Sequence, residues 1–162
     1  MAVALLLVLR LNSKKRGAAK MRVMAIDYGD VRTGVAVSDM SASIAGEAWV
    51  IEERSAVRLC EKIVSEANSR GVVTIVIGYP KNMDGTLGPR AEKAEALVNR
   101  LRELALSREL ALEVVLWDER RTSVEAHSIL SEHNRRGKKR KERVDAVAAT
   151  LILEGYLHSK MG

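Results

Sequence analysis

No phenylalanine occurs in the 162 residues, and tyrosine and tryptophan together bring the aromatic share to only 3%. An aromatic platform for stacking bases is therefore not expected, and any nucleic-acid contact should address backbone and shape. Cysteine occurs once, at Cys60, so no intrachain disulfide can form and a reducing cytoplasm is the expected compartment. Cys60 lies in an apolar helical register, which marks it as a structural thiol rather than a nucleophile. The three histidines, His127, His133 and His158, are too scattered to suggest a zinc site. The apolar run in Met1–Leu9 is too short to span a bilayer, and it precedes a Lys/Arg segment, the reverse of a signal peptide.

What remains is the composition of a globular domain, 47% hydrophobic and long enough for one sizeable core. The net charge of +6 suggests nucleic acid until it is located. Arg10, Lys14, Lys15, Arg16 and Lys20 carry +5 of it, leaving the rest of the chain nearly balanced. Any basic footprint must be local. We read residues 1–20 as an extension, disordered or non-native, with Met21 as the expected start and residues 21–162 as a single domain; the other reading is a short membrane-touching or partner-binding segment.

The chain is organised around Met21–Asp39. Val23, Met24, Ala25 and Ile26 form an apolar run that stops at Asp27, and Gly29 and Gly34 then punctuate the return to a Val-rich strand, Thr33–Ser38. Desolvating an ionised carboxylate costs several kcal/mol, roughly, unless donors or a cation compensate. Asp27 is therefore either bonded to the turn amides of Tyr28 and Gly29 or a metal ligand. Ala48–Ile51 reads as a third strand completing an antiparallel meander, and Ser55 caps a helix in which Val57, Cys60, Ile63, Val64 and Ala67 recur at helical spacing before Gly71. Val72–Ile77 has the continuous β-branched character of a central strand buried on both faces.

Gly78–Pro89 is a loop dense in turn formers at the carboxyl end of that strand, a common place for chemistry in α/β proteins. Pro89 opens a helix whose buried stripe is Ala94, Leu97, Val98, Leu101, Leu104 and Ala105. Leu112–Trp117 reads as a fifth strand ending in Asp118–Arg121, and Thr122–Glu125 fits a capping box for a helix with Val124, Ile129 and Leu130 inward. Asn134–Lys141 packs six positive charges into eight residues, read either as a solvated loop or as a phosphate-contacting arm; its place beside the candidate acids favours the arm. A last helix, Lys141–Leu157, turns Val144, Val147, Ala148, Leu151 and Ile152 inward, and the small residues around Asp145 allow close approach to a sheet.

The element order, with acids after strand one, after strand five and on the last helix, resembles the ribonuclease H-like fold: a five-stranded mixed sheet with helices on both faces. The resemblance is closer to the YqgF/RuvX family of Holliday junction resolvase-like proteins, regarded as pre-16S ribosomal RNA nucleases. It rests on Ala25–Gly29 with Arg32–Asp39, Gly78–Thr86, Gly88–Glu92, Leu116–Arg120 with Thr122, and Lys138–Lys141 followed by Val144–Ala149, in register from Met21 to Leu157. Each motif alone is weak and the set is specific.

Carried over residue by residue, the resemblance implies that Asp27, Glu119 and Asp145 form a catalytic and metal-binding acidic cluster, with Asp118 and Asp84 as lesser candidates. Three converging carboxylates would repel by about 4 kcal/mol per contact at roughly 4 Å and an intermediate dielectric, which a hard divalent cation relieves. One or two Mg²⁺ or Mn²⁺ ions are the expected cofactor, serving phosphodiester cleavage. Lys81, Asn82, Thr86, Arg90, Arg120, Lys138, Lys139 and Arg140 are the candidate substrate contacts, although Arg120 also reads as a salt-bridge partner and Asn82 and Thr86 also read as loop structure. Asp30, Tyr79 and Arg121 depart from the usual family pattern, and Asp30 adds negative charge near the site.

The resemblance implies a cytoplasmic endonuclease that matures the 5′ end of pre-16S rRNA, with structured nucleic acid as partner, ribosomal particles as a further one, no membrane, and a monomeric or homodimeric state. Cleavage of branched DNA and a non-catalytic RNA-binding assembly factor are the alternatives. A nucleotide-binding reading also exists, because Asp27-x-Gly29 with Gly34 resembles the phosphate loop of actin-like kinases; one lobe of this length cannot close over a nucleotide without a dimer.

Overall fold

The computed structural model describes residues 21–119 and 138–161. Strands β1 (Arg22–Asp27), β2 (Arg32–Ser38) and β3 (Ala45–Glu52) precede helix α1 (Ala56–Arg70); β4 (Val72–Tyr79), α2 (Pro89–Ser107), β5 (Glu113–Asp118) and α3 (Lys138–Met161) follow. The expected extension at residues 1–20 and the capping box at Thr122–Glu125 lie outside the described residues, as do Arg120, Arg121, His127 and His133.

The five strands form one sheet in the order β3-β2-β1-β4-β5. β1, β2 and β3 pair antiparallel, while β4 pairs parallel with both β1 and β5. The meander followed by parallel additions is the expected mixed sheet. Its strands are short apolar runs because helices cover both faces, so alternation of polarity along the centre is lost.

Parity sorts the residues of each strand between two cores. Met24, Ile26, Val35, Ile75 and Ile77 point to the face covered by α1 and α2, where Leu59, Ile63, Leu97 and Leu101 complete the larger core. Val23, Ala25, Ala36, Val76 and Trp117 point to the opposite face, where Ala149, Ile152, Leu153 and Leu157 of α3 close a smaller one.

Local signals end the helices where the sequence places them. Ser55 Oγ accepts from the Arg58 amide at the start of α1, and Gly71, at φ 70°, ends it in the left-handed region. Pro89 sits in the first turn of α2.

Three expectations need correction. Val57 is 59% exposed and Leu59 is buried instead. Val147 on the last helix is 38% exposed, and the stripe that meets the sheet is Ala149, Ile152, Leu153 and Leu157. Counted back by four from Ala149, that stripe begins at Asp145, so the acid continues the buried face rather than flanking it. Finally, Lys138–Lys141 are the first residues of α3 rather than part of a loop; the side chains of Lys138, Lys139 and Arg140, and all of Asn134–Gly137, lie outside the described residues.

Candidate active site

Asp27 is the last residue of β1 and has the parity of Val23 and Ala25, so its side chain faces α3. Glu119 follows Trp117 by two at the end of β5 and falls on the same face. Asp118 has the opposite parity, shared with Val114 of the larger core, and thus does not join them.

Two glycines make room. Gly34 pairs with Asp27 across the β1–β2 ladder, and a Cβ there would stand 2.6 Å from the carbonyl carbon of Asp145 and closer still to its oxygen. Only a residue without a side chain lets the α3 backbone come this near. Gly78, at the corresponding level of β4, is overlaid by the Glu119 carboxylate and by Ile152, whose Cδ1 would be 2.6 Å from a Cβ at that position. The close approach anticipated from small residues on the last helix is real, and the residue that admits it is on the sheet.

Asp27, Glu119 and Asp145 consequently share one electrostatic neighbourhood. Burial foremost, together with the charges of Glu119 and Asp145 and against a partial offset from the Arg90 guanidinium, raises the Asp27 carboxyl to about 7. Arg32, at the start of β2, donates from Nε to Asp145 Oδ2 at 3.0 Å, with both side chains about a quarter exposed. Among the described residues no group of three or more acids, histidines or cysteines is arranged to hold a metal ion. Glu119 and Asp145 thus act on Asp27 through their charge, while Arg90 acts on Asp27 and Arg32 pairs with Asp145.

The Gly78–Pro89 loop is a braced turn. Lys81 bridges to Leu87, and the Asn82 amide donates to the Thr86 carbonyl. Asn82 Nδ2 donates to Thr86 Oγ1, and Thr86 in turn donates both its amide and its hydroxyl to Asp84 Oδ1. These bonds hold the Asp84 carboxyl below its ordinary range and engage it within the exposed loop, away from the Asp27 cluster. Asn82, Asp84 and Thr86 are thus engaged in structure. Lys81 lies over the Tyr79 ring, and Arg90 alone of this group acts on Asp27 electrostatically.

Asp30 does not add net charge to the site. Lys93 of α2 pairs with it at 2.6 Å, and this pair ties the β1–β2 turn to the helix that carries Arg90. Tyr79 donates its hydroxyl to Glu95, a bond that raises the phenol to about 12. Cys60 is buried, and desolvation raises its thiol, as a structural cysteine requires.

Sequence reasoning missed Arg32 as a site residue. The available signal was parity: Arg32, Gly34 and Ala36 share one face of β2, and pairing Gly34 with Asp27 puts Arg32 just beyond the acid at the same sheet end.

A "Putative pre-16S rRNA nuclease" of Thermoanaerobacter pseudethanolicus is 42% identical over 86% of this chain and 98% of its own length. One of the same name from Acetivibrio thermocellus is 43% identical over 86% of this chain and 97% of its own. Among solved structures, Thermus thermophilus RuvC bound to a Holliday junction superposes with a TM-score of 0.57 at 12% identity, covering 88% of this chain and 96% of that one. The yeast mitochondrial Holliday junction resolvase Ydc2 gives 0.57 at 13% identity over 95% and 85%. These two establish the ribonuclease H-like fold. The family described as RuvX, Holliday junction resolvase, matches residues 21–159, and with relatives this similar along nearly their whole lengths the chain belongs to that family.

Proposed function

We propose that this protein is a divalent-metal-dependent endonuclease that cleaves phosphodiester bonds in precursor 16S rRNA. The observation that supports it best is the Asp27 carboxyl, raised to about 7 by burial and by Glu119 and Asp145. A carboxyl held this high by burial and by neighbours of like charge fits a cationic occupant. Arg90 offsets only part of the repulsion, and the donor set is all carboxylate oxygen, the ligand chemistry of Mg²⁺ or Mn²⁺.

In this reading Asp27 is the central ligand, and Glu119 and Asp145 either ligate or orient the attacking water. The bound ion supplies charge stabilisation at the phosphoryl oxygens and lowers the pKa of a water. Asp27, fixed at the end of a central strand, sets the position around which the substrate phosphate docks. Glu119, held over Gly78, is the group suited to orient or deprotonate water in reach of that phosphate. Arg90 neutralises substrate charge on the α2 side, and Arg120, Lys138, Lys139 and Arg140 extend the basic footprint. Among the described residues no helix is long and apolar enough to cross a membrane; in this reading the enzyme acts in the cytoplasm on ribosomal precursors as a monomer or homodimer.

The family description and the RuvC-like fold give the second reading, cleavage of four-way DNA junctions. Incubating wild type and Asp27→Asn with precursor rRNA and with a four-way junction, in Mg²⁺ and in Mn²⁺, tests both. We expect Asp27-dependent cleavage of the RNA. Asp27-dependent cleavage of the junction alone would transfer the protein to the resolvase reading. Binding without cleavage of either substrate would make it an assembly factor.

A further inference from the structure

We infer that Arg32 contacts a substrate phosphate, and that its ion pair with Asp145 aims the guanidinium rather than merely joining helix to sheet. The inference rests on the nuclease reading and deepens it. Arg32 Nε donates to Asp145 Oδ2 at 3.0 Å, so one edge of the guanidinium is occupied. Among the described residues Nη1 and Nη2 donate to no side chain or carbonyl, although the side chain is 27% exposed. An arginine gripped through Nε retains its end-on edge, two parallel N–H groups whose spacing matches two oxygens of a phosphate. The carboxylate limits the rotamer freedom of a long side chain, and that loss is then already met before substrate arrives.

Position supports the assignment. Gly34 faces Asp27 across the ladder, and β2 runs antiparallel to β1, so Arg32 lies beyond the end of β1 on the face that Asp27 presents. A phosphodiester docked at Asp27 must extend out of the sheet's carboxyl end. Arg90 attends this crevice from α2 on one side, and Arg32 stands on the other, toward β3. The ligand chemistry is a backbone phosphate next to the scissile bond, with no base readout.

The test measures anisotropy of labelled precursor rRNA and of a labelled four-way junction against salt, without divalent metal, for wild type, Arg32→Gln, Arg32→Lys and Asp145→Asn. For Arg32→Gln we expect affinity about tenfold weaker, the loss of one charge-assisted pair. Its plot of log affinity against log salt should be shallower by about 0.7 to 0.9, the loss of one phosphate contact. Arg32→Lys should recover the slope without recovering the full affinity, because a point charge replaces a fork. Asp145→Asn should keep the wild-type salt slope but bind more weakly, because Arg32 keeps its charge and loses the carboxylate that aims it. Under a purely bracing role, Arg32→Gln and Asp145→Asn would both melt lower, with wild-type salt slopes in each. That result overturns the inference while leaving the nuclease reading intact. Failure of wild type to bind either nucleic acid overturns the nuclease reading itself.

Discussion

Replacing Asp27 by asparagine should make the metal-free protein more stable while abolishing cleavage. In the folded state the carboxyl is raised from 3.8 to about 7, by burial first and then by Glu119 and Asp145. A raised carboxylate favours folding while it is protonated. Its full contribution is present below the unfolded value of 3.8 and is lost as pH rises through about 7. Each unit corresponds to about 1.4 kcal/mol, so ionising Asp27 weakens the fold by about 4 kcal/mol between those limits. Asparagine keeps the shape and carries no charge. In EDTA, wild type and variant should therefore melt nearly together near pH 4, separate as pH rises toward 7 and stay fully separated above it, with the variant higher by about 10 °C for a chain of this size. Thermal melts by circular dichroism across that range measure the difference directly, and subtraction removes every other titrating group. Addition of Mg²⁺ or Mn²⁺ at pH 8 should stabilise wild type and leave the variant unmoved. Melting curves whose separation is the same at pH 4 and pH 8 would refute the reasoning, because they would mean that Asp27 ionises in the fold as it does in water.

Gly34→Ala places a methyl against the Asp145 carbonyl and should displace α3, lowering stability by about 3 kcal/mol and activity at least a hundredfold, read by melting temperature and initial rate. Gly78→Ala meets the flexible Glu119 carboxylate and the tip of Ile152, so we expect a smaller loss of stability, about 1 kcal/mol, with activity falling more than stability because Glu119 is pushed aside. Asp30→Asn removes a solvent-exposed ion pair with Lys93 and should change the melting temperature by no more than about 2 °C and the cleavage rate less than twofold. Tyr79→Phe deletes the hydroxyl bond to Glu95 and should cost about 1 kcal/mol in a denaturant titration, with cleavage kinetics preserved.

Much of this architecture is legible one residue at a time. Val72–Ile77 is β-branched throughout because both of its faces are covered, and Ser55, Gly71 and Pro89 mark helix ends through bonds and dihedral angles that involve only near neighbours. Asp27 stands out because it terminates a buried run, and Glu119 is separated from Asp118 by strand parity alone. The azimuth of α3 is not legible in this way. Val144, Val147 and Leu151 make as good an apolar stripe as Ala149, Ile152 and Leu153, and the choice depends on a sheet that offers Gly34 and Gly78 as the point of closest approach.

Charge partnership is the other part that only tertiary structure decides. Arg32 meets Asp145 across 113 residues of chain, and Lys93 neutralises Asp30 across 63, separations over which local pattern carries no information. In the Gly78–Pro89 loop, Asn82 and Thr86 could equally serve a ligand or the loop, and three-dimensional bonding to Asp84 assigns them to the loop. Amino-acid pattern determined the buried strands and the helix ends at Ser55, Gly71 and Pro89, because dihedral preference and desolvation act locally. The crossing of α3 over the sheet determined which acids act on Asp27 and which cation pairs with Asp145, because electrostatic coupling depends on distance in space rather than along the chain.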